Sequence, residues 1–447
     1  MFSVDKDREV SKELIEEAID YNEEEKERYD RLERYYKGEH DILKRAKPRT
    51  AKNNRVVINH SKYITDINTG YLLGNPVDYK VAEGFNIDRV LEEYNEQTIP
   101  DLDVEIAKDL SIFGKQYELV YTVENNVRST DIDVRNAICV YDDTVAHEKM
   151  FGIIYEIKEQ DVKTGEREYD RVTVYDSEKE YDCVSGNKLV VGEGEAHTFG
   201  KVPLIEYRNN SEEMGDFEQV ISLIDAYNIL QSDRVNDKEQ LVEAILVGYG
   251  FNMEDGQMDE VIANKTMFNI PLDGKVEYLV KNLDESQVDI LRQNIENDIH
   301  KISQTPNMSD ENFVGNSSGV AIRYKLLAFE QSVKHKERYF EKGLLERVEL
   351  YNNYLASINA SKEIELYNIS LVFKRNLPQN DLETSQMVNN LSHLVDDETL
   401  VGQLSFVEDA SKSVELNREE EKGKYSFESP QFGTGELTEN TEEETEE

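Results

Sequence analysis

This 447-residue chain has little of what would tie it to a disulfide framework, a metal or a membrane. Its two cysteines, Cys139 and Cys183, are too few for a disulfide framework or a thiolate zinc site. Both are expected to be reduced, structural residues. No stretch approaches the roughly twenty apolar residues of a membrane span. The start, Met1-Phe2-Ser3-Val4-Asp5-Lys6, also lacks the apolar core of a signal peptide. The expectation is a soluble protein made in a cytoplasm. Basic residues are scarce: 51 Lys and Arg stand against 94 Asp and Glu, a net charge of −43. A protein that grips phosphates needs a basic patch, so conventional nucleic-acid binding is disfavoured.

Catalytic motifs are missing as well. The nearest thing to a phosphate-binding loop, Gly194 to Val202, has one residue too many between its glycines and no Ser or Thr after Lys201. It reads as a loop leading into a strand. There is no His-Glu-x-x-His, no Gly-x-Ser-x-Gly elbow and no paired cysteines. His60, His197, His300 and His335 are scattered without ligand spacing. Asp/Glu pairs are too numerous for any one to stand out. No catalytic residue, metal site or cofactor is assigned, and an enzyme is possible only through a site the sequence hides.

What is present is charge and helix. With 38% hydrophobic and 32% charged residues, much of the chain must be surface, elongated structure or tail, arranged in two to four compact regions. Ser11 to about Tyr36 has helical spacing at Leu14, Ile15, Ala18, Ile19, Tyr29, Leu32, Tyr35 and Tyr36, and predicts a surface helix broken midway. A basic linker, Lys44 to Arg49, is expected to be a solvated loop, with phosphate contact as the alternative. Asn59 to Leu73 predicts a helix ending before Gly74-Asn75-Pro76.

From Val77 to Tyr207 the pattern is α+β. A helix over Leu102 to Phe113 ends at Gly114. Strands are expected at Gln116 to Tyr121, Val134 to Tyr141, Gly152 to Ile157, Arg171 to Tyr175 and Pro203 to Tyr207, in a mostly antiparallel sheet. The chain then turns helical, with a long helix from Gly215 to about Val247 and a small insert with strand-like Lys265 to Pro271 and Val276 to Val280. A second helix covers Asp284 to Ser303, its Val288, Ile295 and Ile302 recurring every seventh residue. The last residues, from Asn417, are strongly acidic and predict a disordered tail.

The most telling feature is a polar loop that launches a proline-free helical stretch reaching about Ile358. The loop comprises Asn307, Met308, Ser309, Asp310, Glu311, Asn312, Phe313, Val314, Gly315, Asn316, Ser317 and Ser318. That stretch would span about 60 Å, more than one domain core needs. With the helix before it, the loop becomes the tip of a helical hairpin.

Several segments, in order, carry a family likeness: Gly70-Tyr71-Leu72-Leu73-Gly74-Asn75-Pro76-Val77; Ser111-Ile112-Phe113-Gly114-Lys115-Gln116-Tyr117-Glu118; Phe199 to Asn210; Asp216 to Asn228; and Gly315-Asn316-Ser317-Ser318-Gly319-Val320-Ala321. The chain resembles the portal proteins of long-tailed, siphovirus-type double-stranded DNA bacteriophages, the ring at one capsid vertex through which the genome passes. The resemblance implies an α+β fold: a portal-type subunit with an α+β wing, long stem helices, a small β-containing clip, a long kinked helix and a helical crown, assembling into a ring.

It places an N-terminal helical arm at 1–50, the wing at 51–214, stem helices at 215–247 and 284–306, and the clip at 248–283 between them. The tunnel loop falls at 307–318 and a long helix at 319–360. A strand returning to the wing lies in 361–380, crown helices in 381–416 and an acidic disordered tail in 417–447. By the same resemblance, Phe251, Asn252, Lys265, Phe268, Lys275 and Tyr278 lie at the interface with the packaging motor and head-completion proteins. Gly319 and Gly343 are expected hinges, because glycine gives the backbone freedom and weakens a helix interior.

The implied partners are double-stranded DNA passing without sequence preference, the terminase large subunit, major capsid and scaffolding proteins, and head-completion or adaptor proteins. The homo-oligomer would hold about twelve copies, or thirteen when isolated. It would be made in the host cytoplasm and act in the virion, with no cofactor and no membrane. Two other classes remain open: another oligomeric head-tail connector or scaffold-type protein, and a metal-dependent hydrolase with concealed carboxylates.

Overall fold

A computed structural model describes residues 1–48, 52–161, 166–242, 245–249, 275–279, 285–308, 324, 326–362, 365–375, 381–404, 407 and 410–425. The chain divides into two compact units, Met1–Asn376 and Leu377–Glu447.

The first unit is built on a sandwich of two sheets. The three-stranded sheet runs β12-β3-β4, with β3 at Lys115–Val123, β4 at Asn126–Ile132 and β12 at Leu204–Arg208. The six-stranded sheet runs β1-β5-β6-β7-β8-β11. Its strands are β1 (Phe2–Val4), β5 (Ala137–Asp142), β6 (Lys149–Gln160), β7 (Arg167–Tyr175), β8 (Lys179–Asp182) and β11 (Glu195–Ala196). All its pairings are antiparallel except β1 with β5. The expected strands are therefore present, but they divide between two sheets.

Strand alternation sorts the side chains into layers. Ala137, Cys139 and Ile154 join Tyr117, Leu119 and Leu204 between the sheets, while Ile138, Val140, Ile153 and Tyr155 face the other way. The sheets approach closely at Gly152, where a Cβ would stand 2.6 Å from that of Leu204.

Helix α1 (Lys12–Tyr36) closes the outer face of the six-stranded sheet with Leu14, Ile15, Ala18 and Ile19, then sends Tyr29, Leu32 and Tyr35 into the other core. Ser11 caps it, its Oγ accepting the Leu14 N–H at 3.2 Å. The expected break is not there. Asn22, at the crossover between cores, is buried with its Nδ2 bonded to Val134 O at 3.1 Å and Tyr155 Oη at 3.0 Å, so the polar position costs no turn. Nor is α1 a mere surface helix, since only its acidic face is exposed.

Next come α2 (His60–Leu73), β2 (Asp78–Val81), α3 (Asp88–Glu96) and α4 (Ile99–Phe113). β9 (Val184–Ser185) and β10 (Lys188–Leu189) form a small hairpin.

Helix α5 (Ile221–Val242) stops short of the expected Val247. Residues Ile245–Tyr249 form strand β13, paired antiparallel with β14 (Lys275–Leu279). The run Ile245-Leu246-Val247-Gly248 explains this, because β-branched residues followed by glycine favour an extended chain. Helix α6 covers Glu285–Ile302 and α7 covers Leu327–Ser357. Strand β15 (Ile369–Val372) pairs antiparallel with β2 in a separate two-stranded sheet outside the sandwich.

Helix α7 lies on the outer face of the three-stranded sheet, where Glu118 and Tyr207 point away from the inter-sheet core. The layers thus run α7, three-stranded sheet, six-stranded sheet, N-terminal half of α1.

The second unit contains α8 (Asp381–Leu391), α9 (Asp397–Val401) and α10 (Ala410–Tyr425). Helix α10 continues past Asn417, where a disordered tail was expected. Its Glu, Lys and Arg residues are good helix formers.

Candidate functional site

The loop at 307–318 is best located by what holds its ends. Asn307 and Met308 lie at the described edge; Ser309 to Ser318 and Gly319 fall outside the described residues. On the leading side, Tyr63 of α2 donates its hydroxyl to Pro306 O at 3.0 Å and accepts the Met308 N–H at 2.9 Å. Asn68 Nδ2 reaches Thr305 Oγ1 at 2.9 Å, and Asn307 Nδ2 reaches Glu296 Oε1 of α6 at 3.3 Å. On the far side, Phe329 of α7 packs on Tyr71 with ring centroids 4.7 Å apart, and the Tyr71 hydroxyl binds Glu330. Lys336 donates to Asn68 Oδ1 at 2.6 Å and pairs with Asp216. One helix, α2, therefore grips the chain on both sides of the loop, and its Asn68 bonds to both.

Lys336, Asp216, Asn68 and Thr305 sit in a buried polar joint with Ser111 and Asn209, which both bond Asp216. Burial lowers the Lys336 pKa, against the raising pull of Asp216. Beside this joint, His60 of α2 packs edge-on against Tyr227 of α5 and His300 of α6, at 5.0 and 5.8 Å between ring centroids. Burial pushes the His60 imidazole down to about 4, and neighbouring His300 adds to the shift. His60 Nε2 has no hydrogen-bond partner among the described residues.

Helix α5 is strapped by an extended segment. The backbone N–H groups of Asn54, Val56 and Ile58 donate to Asn236 Oδ1, Ser232 Oγ and Asn228 Oδ1 at 2.7, 2.9 and 2.9 Å. Four helical residues advance about 6 Å, close to two extended ones. The ladder Asn228, Ser232, Asn236 thus matches alternate strap residues. The basic linker leads into this strap: Arg45 and Lys47 each reach Asp233 at 2.8 Å, so these two cations are held on α5. Antiparallel contacts join α5 to α6 through Tyr227 with Glu296 and Arg234 with Asp289.

Helix α7 is cross-braced to the sheet by a fully buried guanidinium. Arg347 donates to Glu118 at 2.7 Å and to Asp103 of α4 at 2.6 Å, while the Tyr207 hydroxyl bonds Glu118 at 2.6 Å. One turn earlier is Gly343, expected as a hinge. Here α7 continues through it, and a Cβ would stand 2.2 Å from the Tyr207 ring. The glycine lets the helix lie against the sheet.

Of the residues expected at the clip interface, Lys275 and Tyr278 lie on β14, opposite Tyr249 and Leu246. Phe251, Asn252, Lys265 and Phe268 fall outside the described residues. Cys139 and Cys183 are buried and unpaired, and burial pushes both thiols up, Cys183 to about 11. Among the described residues no group of His, Cys, Asp and Glu is placed to hold a metal ion, and no helix is long and apolar enough to cross a membrane. The joint residues Tyr63, Asn68, Asp216, Lys336 and Arg347 were missed by sequence reading, as was the Asn-Ser-Asn ladder, although its four-residue spacing was visible.

A family model described as phage portal protein, SPP1 Gp6-like, matches residues 15–425. The portal protein of Bacillus phage SPP1 is 23% identical over 423 residues, covering 88% of this chain and 83% of the relative. The portal protein of Clostridium phage phiCD119 is 22% identical over 429 residues, covering 87% of this chain and 91% of the relative.

Proposed function

The chain belongs to the SPP1 Gp6-like family of phage portal proteins, and from that premise we propose how its parts serve a channel. Its role is that of a portal protein, a structural phage component and not an enzyme. In the proposed reading about twelve copies close into a ring at a capsid vertex, through which a terminase packages DNA and from which DNA is later ejected. The sandwich is the wing, α5 and α6 are the stem, β13 and β14 belong to the clip, and 307–318 is the tunnel loop. Residues 381–416 are the crown, and Gly319, just after the tunnel loop, is a hinge. The clip meets the terminase and later the head-completion proteins; capsid and scaffolding proteins seat the ring.

One observation supports assembly and another supports passage. Stem residues Ile290, Leu291 and Ile302 on α6 and Ile229 on α5 are each 44% exposed or more, apolar surface that a neighbouring stem would cover. The charge favours passage over grip: about twelve copies at −43 carry roughly −500, a field that repels DNA phosphates.

The observation that carries the channel reading is the double anchoring of the loop on α2. Contacts at Pro306 and Met308 on one side and from Phe329 to Lys336 on the other keep the two flanks in register across the segment between them. Deleting Val314 to Ser317 is therefore expected to leave ring assembly intact and to impair DNA packaging or retention in an infection assay. Packaging at the full level would overturn the channel reading.

A further inference from the structure

We propose that neighbouring subunits meet head to tail through two oppositely charged helix faces, the basic stripe of α7 in one copy and the acidic stripe of α1 in the next. The proposal rests on the ring reading above. On α7 the exposed residues Lys334, Arg338 and Lys342 recur every four positions, with exposed His335 beside them, so they share one face about 12 Å long. Arg338 and Lys342 make no ion pair among the described residues, and Lys334 has only an exposed contact to Glu330 at 3.8 Å. On α1 the exposed residues Glu13, Glu17, Asp20, Glu24 and Glu27 form a matching stripe about 21 Å long, ended by Arg31. Glu17 pairs with Arg8 and Asp20 with Arg167, while Glu13, Glu24 and Glu27 make no ion pair among the described residues.

The layer order puts these stripes on opposite sides of the molecule. Helix α7 covers the outer face of the three-stranded sheet, and the N-terminal half of α1 covers the outer face of the six-stranded one. A ring needs such a heterologous pair of patches, because each subunit offers one surface to the copy before it and a different one to the copy after. A cationic face is unusual on a chain of net charge −43, and the same chain supplies its complement at the same helical period.

The test uses the full chain with two paired reversals, Arg338→Glu with Lys342→Glu, and Glu24→Lys with Glu27→Lys. Each pair alone sets like charges across every contact and is expected to cut the ring fraction, read by native mass or light scattering, roughly tenfold at physiological salt. An equimolar mixture of the two variants restores complementary contacts at every junction of an even-numbered ring, and at all but one of an odd-numbered ring, and should recover most of the wild-type fraction, which a mere folding defect would not allow. Wild-type ring yields from either variant alone would overturn the proposal, and if such rings also lost DNA retention the α7 stripe would be assigned to DNA. Failure of the mixture to recover rings would overturn it too. Absence of rings from the wild-type chain would instead remove the ring reading itself.

Discussion

Between the two sheets the contacts are apolar, with Ala137, Cys139, Ile154 and Leu204 packed on Tyr117 and Leu119; around α2, α5, α6 and α7 the buried side chains include Asn68, Asn228, Ser232, Asn236 and Thr305, and those of Asp216 and Lys336 are only 5% and 13% exposed. Apolar contact is non-directional and scales with area, so the sandwich can tolerate small shifts. Hydrogen bonds and buried ion pairs are directional, and leaving one partner unmade is costly. A slip of α7 by one turn would strand Lys336 and Arg347 away from Asp216 and Glu118. The helical joint is therefore fixed in register, and it holds the chain before the loop at Thr305 to Met308 and after it from Phe329 on.

The largest effect expected from disturbing this contrast comes from Arg347→Leu. It leaves Asp103 and Glu118 as buried carboxylates without their cation and should cost about 3–5 kcal/mol in urea unfolding. A loss below about 1 kcal/mol would mean that the brace is redundant and that the joint is held by its apolar contacts.

A smaller effect separates the regions by pH. His60 has a pKa near 6.5 when unfolded and about 4 when folded, so between those values the unfolded chain binds more protons. Its contribution to stability is complete above about 6.5 and is lost as pH falls through 4, by about 3 kcal/mol in all. His60→Leu should flatten that part of the stability curve, with no hydrogen bond lost at Nε2. An unchanged acid profile in urea titrations from pH 7 to pH 4 would place the sensitivity elsewhere.

The contrast also explains what could be read from the sequence. Strand alternation and helical spacing reveal the sandwich strands, α2, α4 and α6, because burial on one face imposes a period. The joint is built from single polar residues whose partners lie far along the chain, Asn68 with Thr305 and Lys336, or Glu118 with Arg347, and periodicity carries no signal for such pairs. The continuity of α1 was hidden because Asn22 and the acidic run after it look like a break until Val134 and Tyr155 supply the partners. Of the loop itself, only Asn307 and Met308 lie among the described residues; its anchors on α2 are what connects the sequence reading to the fold.

The central claim is that this chain closes into a channel, and the mass of the purified full-length protein in solution tests it most directly. The account predicts one closed assembly of about twelve or thirteen copies of the 51.7 kDa chain. A stable monomer or dimer at every concentration would contradict it.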